Sequence, residues 1–363
     1  MHSRELSTPA LVIDLDTVER NLDRMAASCR NAHIGLRPHT KTHKTLEFAR
    51  MQMERGAVGL TVAKVGEAEV MAEAVPLQIL VAHPIFGREK LSRLARIGRD
   101  LDVLIAIDDE ITADAISRVA VDFDCTLGIL VEFDSGFRRC GLPPGAACVE
   151  LARTIEKLPN VKMRGLMTYF GSVWGPEEER KREVNKIAAS VEMAIEAFQK
   201  IGMPLEIVSG GSTPAADFSQ VIPGLTEIRP GTYIFNDMNT YYQGVCGLED
   251  CAARVITTVV STAIPGQAVI DAGSKTLSQD ALGSGPMTGF GRIVEAPEAS
   301  LFKLNEEHGY LRTSPSQNLK IGDVLSVIPN HVCSCVNLHD EIFLARGEQV
   351  IDSWKVAARG KTG

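Results

Sequence analysis

Short apolar runs alternate with amphipathic helical patterns over the first two thirds of the chain. Helical patterns fill residues 17–31, 64–75 and 177–202, where apolar positions recur every three or four residues. Nine runs rich in Val, Ile and Leu have the length of buried strands, at 10–16, 34–40, 57–63, 77–83, 102–108, 126–134, 162–170, 206–212 and 227–235. Strands that alternate with helices build parallel sheets through βαβ connections.

This alternation predicts an α/β fold. The number of strand–helix units suits a TIM-type (β/α)₈ barrel with one extra strand. An open doubly wound sheet is the alternative. No Gly-x-Gly-x-x-Gly motif follows the first strand run, as the dinucleotide-binding form of that sheet would require, so the barrel is preferred.

The pattern changes near residue 247. Beyond it, helical periodicity is weak, and Gly, Pro and Asn separate the apolar runs. Six of these runs are strand-like, at 253–264, 267–273, 291–297, 308–314, 323–332 and 340–356. We therefore expect a barrel domain at 1–247 and an all-β domain at 248–363.

Size and charge narrow the class of protein. A chain of 363 residues exceeds the usual size of one core, which agrees with two domains. The net charge of −8 argues against nucleic acids and anionic membranes as partners. No signal peptide is apparent, no apolar run reaches the roughly 18 residues that span a membrane, and the eight cysteines are scattered. We expect a cytoplasmic protein with reduced thiols.

One basic segment stands apart in this acidic chain. Residues 37–44 read RPHTKTHK and follow a strand run. Active-site residues of (β/α)₈ barrels lie at the carboxyl ends of the strands. Lys41 is placed there to bind a cofactor as a Schiff base, with its pKa lowered by neighbouring cations. A solvated basic loop is the alternative, and composition alone favours it.

Three further strand ends carry polar residues of the kind that bind a cofactor. They are VEFDSGFRRCG (131–141), VSGGSTPA (208–215) and EIRPGTYIFND (227–237). Small residues with consecutive N–H groups at the start of a helix form a ready phosphate cradle. Each segment alone is a common turn. Together with Lys41 they indicate a phosphorylated cofactor held by a lysine.

These motifs, with STPALVIDLD near the start and IPNHVCSCVNLHD near the end, resemble the pyridoxal-phosphate enzymes of the alanine racemase fold, fold type III. The branch they resemble is that of the metal-activated D-threonine aldolases and D-serine dehydratases. The resemblance runs in order along nearly the whole chain. It implies pyridoxal 5′-phosphate (PLP) as cofactor and Lys41 as the lysine that binds it.

The resemblance also assigns the other cofactor contacts by position. Arg139 is expected at the 3′-oxygen of the cofactor, and Arg229 at its pyridine nitrogen. Tyr169 stands where many relatives have a ring-facing histidine, and is expected to stack on the ring or fill that space. The residues expected around the phosphate are Gly211, Ser212, Thr213, Gly231 and Thr232.

His331 and Cys333 are the candidate metal ligands. An H-x-C pattern on a strand places both side chains on one face, and imidazole with thiolate suits Zn²⁺. Two such residues alone are a weak signal, because a buried cysteine is usually structural. The resemblance implies that this pair binds a divalent ion, Zn²⁺ first, with Mn²⁺ or Mg²⁺ as alternatives. Cys335 and His339 are less favoured.

Two reactions remain open at such a site, because a metal ion there would grip the β-hydroxyl of a D-amino acid. β-Elimination gives a 2-keto acid and ammonia, whereas retro-aldol cleavage gives glycine and an aldehyde. The H-x-C pair resembles the dehydratases, so we prefer elimination. An amino-acid racemase and a non-enzymatic PLP-binding protein are lesser alternatives. The resemblance also implies a head-to-tail homodimer.

Overall fold

Nine strands alternate with seven helices in the barrel half of the computed structural model, which describes residues 1–74, 78–282, 289–314 and 317–363. The strands are β1 (Ala10–Asp14), β2 (Gly35–Leu36), β3 (Leu60–Val62), β4 (Gln78–Val81), β5 (Asp102–Ile107), β6 (Leu127–Glu132), β7 (Val161–Met167), β8 (Ile207–Gly210) and β9 (Glu227–Ile228). The helices are α1 (Leu15–Asn31), α2 (Leu46–Glu54), α3 (Val65–Ala72), α4 (Arg88–Ile97), α5 (Glu110–Asp122), α6 (Ala146–Ile155) and α7 (Glu177–Lys200). Each strand overlaps a predicted run.

Strands β2 to β9 form one parallel sheet that closes into a barrel. Its order is β2-β9-β8-β7-β6-β5-β4-β3. The two end strands, β2 and β3, are joined by the chain that follows β2. The Thr61 N–H donates to the Pro38 carbonyl and the Thr40 N–H donates to the Thr61 carbonyl, both at 2.9 Å. The predicted (β/α)₈ barrel is therefore confirmed.

The barrel interior is apolar at its centre. Side chains from five neighbouring strands pack together there, namely Leu80, Leu104, Ala106, Leu130, Met167 and Ile207. Strands β3, β6 and β8 are buried along their whole length. Strands of parallel barrels are covered on both faces, which explains why the sequence shows continuous apolar runs there and no alternation.

The C-terminal part is an antiparallel β structure. Its strands are β10 (Ala253–Ser261), β11 (Gln267–Ile270), β12 (Gly291–Ile293), β13 (Ser300–Leu304), β14 (Gly309–Arg312), β15 (Val324–Pro329), β16 (Glu341–Arg346) and β17 (Gln349–Lys355). The sheet order is β11-β14-β13-β12-β15-β10-β1-β16-β17, and β10 also pairs with β11. Three short helices precede or interrupt it, α8 (Met238–Tyr242), α9 (Ser274–Leu277) and α10 (Val332–Val336).

The first strand departs from the prediction. The sequence placed β1 beside the barrel strands, but it pairs antiparallel with β10 and parallel with β16. A strand in the middle of a sheet is apolar on both faces, as a barrel strand is, so its sequence pattern does not tell the two apart. Strand β13 and the three short helices were not predicted.

The described chain separates into two compact units. The barrel unit contains Arg24–Lys41, Leu46–Gly231 and Gly360–Gly363, and the β unit contains Met1–Asp23, Thr42–Thr45 and Thr232–Arg359. The β unit includes β1 because this strand pairs with β10 and β16. The domain boundary expected after residue 247 stays a prediction. None of the helices in the described ranges has the length and apolar character needed to cross a membrane.

Candidate active site

Lys41 lies just beyond the carboxyl end of β2, at the mouth of the barrel. The extended chain before it is fixed to β3 by a parallel bridge between His39 and Thr61. Its backbone N–H approaches the Nδ1 atom of His39 at 3.4 Å, and its side chain is half-buried. The backbone of this lysine is thus held by the barrel while its amine retains access to the mouth.

The second lysine of the segment is tied down differently. Lys44 belongs to the β unit, has a left-handed backbone with φ of +54°, and is only 6 % exposed. Its Nζ donates to Asn337 Oδ1 at 2.7 Å, and its carbonyl accepts from the Ala358 N–H at 3.0 Å. These bonds hold the ammonium group in a structural contact, which favours Lys41 as the reactive lysine.

The Gly-Gly-Ser turn after β8 has the shape of a ligand cradle. Gly211 has φ of +95°, and a Cβ atom there would lie 2.9 Å from the Ile228 Cβ, so only glycine fits. Ser212 precedes a 3₁₀ helix at Thr213–Val221 and donates its hydroxyl to the Phe170 carbonyl. Gly231 is buried after the neighbouring strand β9. Small residues that bring backbone close to a ligand fit a phosphate group.

Arg139 and Tyr169 line a cavity at the ends of β6 and β7, together with Glu132, Asp134 and Thr168. The Arg139 guanidinium carbon lies 4.5 Å from the centre of the Tyr169 ring, a cation–π contact. The loop that carries Arg139 is anchored to the end of β5, because the Gly141 N–H donates to Asp108 Oδ2 at 2.8 Å. The two residues predicted to contact one cofactor thus face one cavity.

Arg229 is buried within the barrel. Its guanidinium donates to the Ser209 hydroxyl and, at 2.7 Å, to the Thr168 carbonyl. Burial lowers its pKa to about 10, while the charges of Glu227 and Glu132 act in the opposite direction. Arg229 therefore stays protonated near neutral pH and presents a fixed positive charge.

Glu132 was not singled out by the sequence. It is 3 % exposed at the end of β6, and burial raises its pKa while Arg229 and Arg139 lower it. An acidic residue closing an otherwise apolar strand was the available signal, but the sequence did not show that two arginines face it.

His331 and Cys333 are neighbours in the β unit, although not on a strand. Strand β15 ends at Pro329, and His331 is the residue before α10, so the predicted strand geometry is wrong. The side chains still share a hydrogen bond. Burial lowers the pKa of His331, but the charge of Cys333 and a bond to Asp237 raise it to about 11 overall. The imidazole of His331 therefore lies between the Asp237 carboxylate and the Cys333 sulfur.

Asp237 organises this pair, and it was not predicted from the sequence. Its buried carboxylate lies 3.2 Å from His331 Nδ1 and accepts the Val332 N–H at 3.0 Å. The Thr42 hydroxyl lies 3.2 Å from Cys333 Sγ, and the Thr232 hydroxyl lies 3.9 Å from it. A histidine held by a carboxylate at one nitrogen, beside a cysteine sulfur, fits a transition-metal ion.

Cys335 and His339 face elsewhere. Both contact the Thr276 carbonyl, at 3.2 Å from the thiol and 3.1 Å from the imidazole. Burial raises the pKa of Cys335 to about 12 and lowers that of His339. Among the residues that the structure describes, no three His, Cys, Asp or Glu side chains converge as a complete metal site. A metal held by His331 and Cys333 would need its other ligands from water or substrate.

Comparison with known proteins identifies the class. Residues 13–238 match the family model described as alanine racemase, N-terminal domain, and residues 252–345 match a putative serine dehydratase domain. The chain therefore belongs to the fold-type III family of PLP-dependent enzymes.

Similarity to individual proteins extends over the whole chain. It is 32 % identical to a D-threonine aldolase of Arthrobacter sp, over 98 % of this chain and 93 % of that protein. It is 31 % identical to a D-threo-3-hydroxyaspartate dehydratase of Delftia sp., over 91 % of each. The crystal structure of D-threonine aldolase from Filomicrobium marinum superposes with a TM-score of 0.93 at 31 % identity, covering 99 % of this chain and 98 % of that one.

Within this family the chain is a lyase. Its relatives carry the names of aldolases and dehydratases. The racemase and the non-enzymatic protein considered as alternatives are therefore set aside.

Proposed function

We propose that the protein is a PLP- and divalent-metal-dependent lyase that converts D-β-hydroxy-α-amino acids by β-elimination of the hydroxyl, with net release of ammonia. The product would be a 2-keto acid. The observation that carries this proposal is the neighbouring pair of His331 and Cys333, with the imidazole aligned by the buried carboxylate of Asp237.

The barrel residues would hold the cofactor. PLP supplies an electron sink for the negative charge that develops at the substrate Cα when its proton is removed. Lys41 would bind the cofactor and carry the α-proton on Nζ, while Arg139 and Tyr169 would contact the ring. The phosphate would lie on Gly211, Ser212, Thr213, Gly231 and Thr232.

Arg229 would set the electronic character of the site. Its guanidinium is a permanent donor, already bonded to Ser209 and Thr168. An arginine facing the pyridine nitrogen does not give it a proton, because guanidinium holds its proton near neutral pH. Such a ring withdraws fewer electrons, which favours a reaction in which the β-substituent departs promptly.

His331 and Cys333 would hold the metal ion. We propose Zn²⁺, which suits nitrogen and sulfur ligands, with Mn²⁺ or Mg²⁺ as alternatives. A bound divalent ion polarises an oxygen ligand, here the β-hydroxyl. The Asp237 carboxylate would keep His331 Nδ1 protonated and leave Nε2 for the ion.

Retro-aldol cleavage is the second candidate. The named similarity to D-threonine aldolases, in sequence and in structure, favours it. In that reaction the β-hydroxyl, polarised at the site of His331 and Cys333, would lose its proton and the Cα–Cβ bond would break to release an aldehyde. A proton carried by Lys41 Nζ would then be added at Cα, which yields glycine. Elimination instead keeps that bond and breaks the Cβ–O bond.

The proposal extends to assembly and location. Membership of the family supports a head-to-tail homodimer. All eight cysteines are free thiols, which supports a reducing compartment and hence the cytoplasm.

A product assay tests the reaction. The holoenzyme is incubated separately with D-serine and D-threonine. We expect 2-keto acid and ammonia in equal amounts, and no turnover by Lys41→Ala, which also loses the absorbance band of bound cofactor. Lys90→Ala, at an exposed lysine on α4, is the matched control with normal activity. Glycine and aldehyde would establish the second candidate, and an active Lys41→Ala would overturn both.

A further inference from the structure

A second cationic group lies at the mouth of the barrel. Lys64 follows β3 and His83 follows β4, and the Lys64 Nζ atom is 2.9 Å from His83 Nε2. Both residues are half-buried. The proposed contacts of PLP and metal use neither side chain.

The hydrogen-bond geometry fixes where the protons lie. His83 Nδ1 is 2.7 Å from the Pro84 carbonyl oxygen, and a carbonyl can only accept, so Nδ1 carries a proton and donates. The imidazole Nε2 then accepts from the Lys64 ammonium. An ammonium group has three N–H donors, and among the described residues His83 is the one hydrogen-bond partner of this Nζ. Two donors remain for a ligand.

The charge of Lys64 is not balanced locally. Within the described ranges its side chain makes no ion pair. Glu67, on the same helix, points its carboxylate at the backbone and accepts the N–H groups of Ala63 at 2.7 Å and Lys64 at 3.3 Å. A half-buried ammonium that is held by a neutral imidazole is prepared to receive an anion.

The strand order separates this group from the phosphate cradle. In the barrel β9 and β8 lie on one side of β2, whereas β3 and β4 lie on the other. Lys41, after β2, is therefore flanked by the Gly211 cradle on one side and by Lys64 and His83 on the other. The anion that these two residues would bind is not the cofactor phosphate.

We propose that Lys64 and His83 form a subsite for the distal carboxylate of a dicarboxylic D-β-hydroxy-α-amino acid, of the 3-hydroxyaspartate type. The inference rests on the proposed function. Neighbouring strands are spaced by about 4.8 Å, so the ends of β3 and β4 lie roughly 5 and 10 Å from that of β2. These distances suit the distal carboxylate of the substrate. The α-carboxylate is bonded to Cα, the carbon that lies nearest Lys41.

Two matched substrates test the subsite in the holoenzyme. D-threo-3-hydroxyaspartate and D-threonine share the amino group, the α-carboxylate and the β-hydroxyl, and differ by a carboxylate in place of a methyl group. We expect Lys64→Met to lower kcat/KM at least tenfold for the dicarboxylate and less than twofold for D-threonine. Lys64→Arg should recover part of the loss. Lys90→Met controls for removal of an exposed lysine.

A direct binding measurement keeps this test separate from the reaction. Succinate, a dicarboxylate without an amino group, is titrated into the holoenzyme by calorimetry, and Lys64→Met should weaken its binding at least tenfold. An equal loss with both substrates, or unchanged succinate binding, overturns the subsite while leaving the proposed function intact. If the wild type processes neither substrate, the proposed function fails, and the succinate titration still decides for or against the subsite.

Discussion

At the residue scale, Asp237 serves two structural tasks with one carboxylate. It caps α8 by accepting the Thr240 N–H at 3.0 Å, and it holds His331 Nδ1 at 3.2 Å. Its side chain is fully buried, so water cannot replace either bond. Because the carboxylate accepts only, it fixes the proton of His331 on Nδ1 and leaves Nε2 as the free ligand atom.

Asp237→Asn is expected to separate these tasks. The amide retains the shape but loses the charge, so the affinity of the apoprotein for Zn²⁺ should fall about 10- to 100-fold. The free energy of unfolding should change little through the cap, because the amide oxygen of Asn caps a helix as well as the carboxylate does. A Zn²⁺ titration against a competing chelator measures the first effect, and urea unfolding measures the second.

Asp109→Asn is the matched control for this prediction. Asp109 caps α5 by accepting the Thr112 N–H at 2.8 Å, and it belongs to the barrel unit, away from His331 in sequence. This variant should keep both its cap stability and the Zn²⁺ affinity of the wild type. Zn²⁺ affinity that is the same in Asp237→Asn and in the wild type would show that the carboxylate does not orient a metal ligand.

At the element scale, the contact between β7 and β8 depends on a single glycine. Gly165 has φ of +151° in β7, where the register with β6 shifts. A Cβ atom at this position would collide with the Ile207 carbonyl of β8. The backbone approach of these strands places Tyr169 and Gly211 at neighbouring strand ends.

Gly165→Ala is therefore expected to destabilise the barrel strongly. The new methyl group must push β8 away or break its pairing with β7. The free energy of unfolding should fall by more than about 3 kcal/mol, as in severe overpacking of a core. Gly87→Ala is the control, since Gly87 also has positive φ, +103°, but a Cβ atom added there would meet nothing within 4 Å. It should cost only the backbone strain, roughly 1 kcal/mol. Equal urea midpoints for the two variants would contradict the predicted collision.

The sequence predicted the positions of the barrel strands, but not the pairing of β1 or the helix α10. Apolar runs of the right length located all barrel strands, because burial on both faces leaves a local signal. One of the two partners of β1 is β16, about 330 residues later, and no local pattern encodes that choice. The segment before Cys333 read as strand because it continues β15, yet the chain turns into a short helix.

Some residues of the candidate site could be predicted from the sequence, and others could not. Lys41, Arg139 and His331 occur in local motifs that the sequence displays. Asp237 and the Lys64–His83 pair act through contacts between distant positions, as in the 94-residue separation of Asp237 and His331. Such pairs become visible only when the fold brings the chain segments together.

At the scale of the whole barrel, buried charges join its first and last strands. Arg37, beyond β2, binds both carboxylate oxygens of Glu227 on β9 at 2.7 Å, and Glu227 also accepts the Ser209 hydroxyl of β8 at 2.6 Å. Ser209 in turn accepts from Arg229. The arginine proposed to face the cofactor is thus supported by the same network that joins β2, β9 and β8.

This network predicts a specific pH dependence of stability. Burial alone would raise the pKa of Glu227, but the charge of Arg37 and hydrogen bonds from Arg37 and Ser209 outweigh it and lower the pKa overall. A carboxyl with a lowered folded pKa stabilises the fold fully above its unfolded pKa, about 4.3. The contribution is lost as pH falls through the lower, folded pKa.

Glu227→Gln should therefore remove the part of the free energy of unfolding that the wild type loses as pH falls. At neutral pH the free energy of unfolding should drop by about 3–5 kcal/mol, because the buried Arg37 loses its partner. The gap to the wild type should narrow as pH is lowered below about 4, where the wild-type carboxyl also becomes protonated. Urea unfolding of both proteins across this pH range measures the gap.

Glu206→Gln is the matched control, at an exposed carboxylate paired with Lys162 and Arg164. It should lower the free energy of unfolding by less than about 1 kcal/mol, because water screens that pair. A gap that stays constant down to about pH 3 would mean that the charge of Glu227 does not stabilise the barrel.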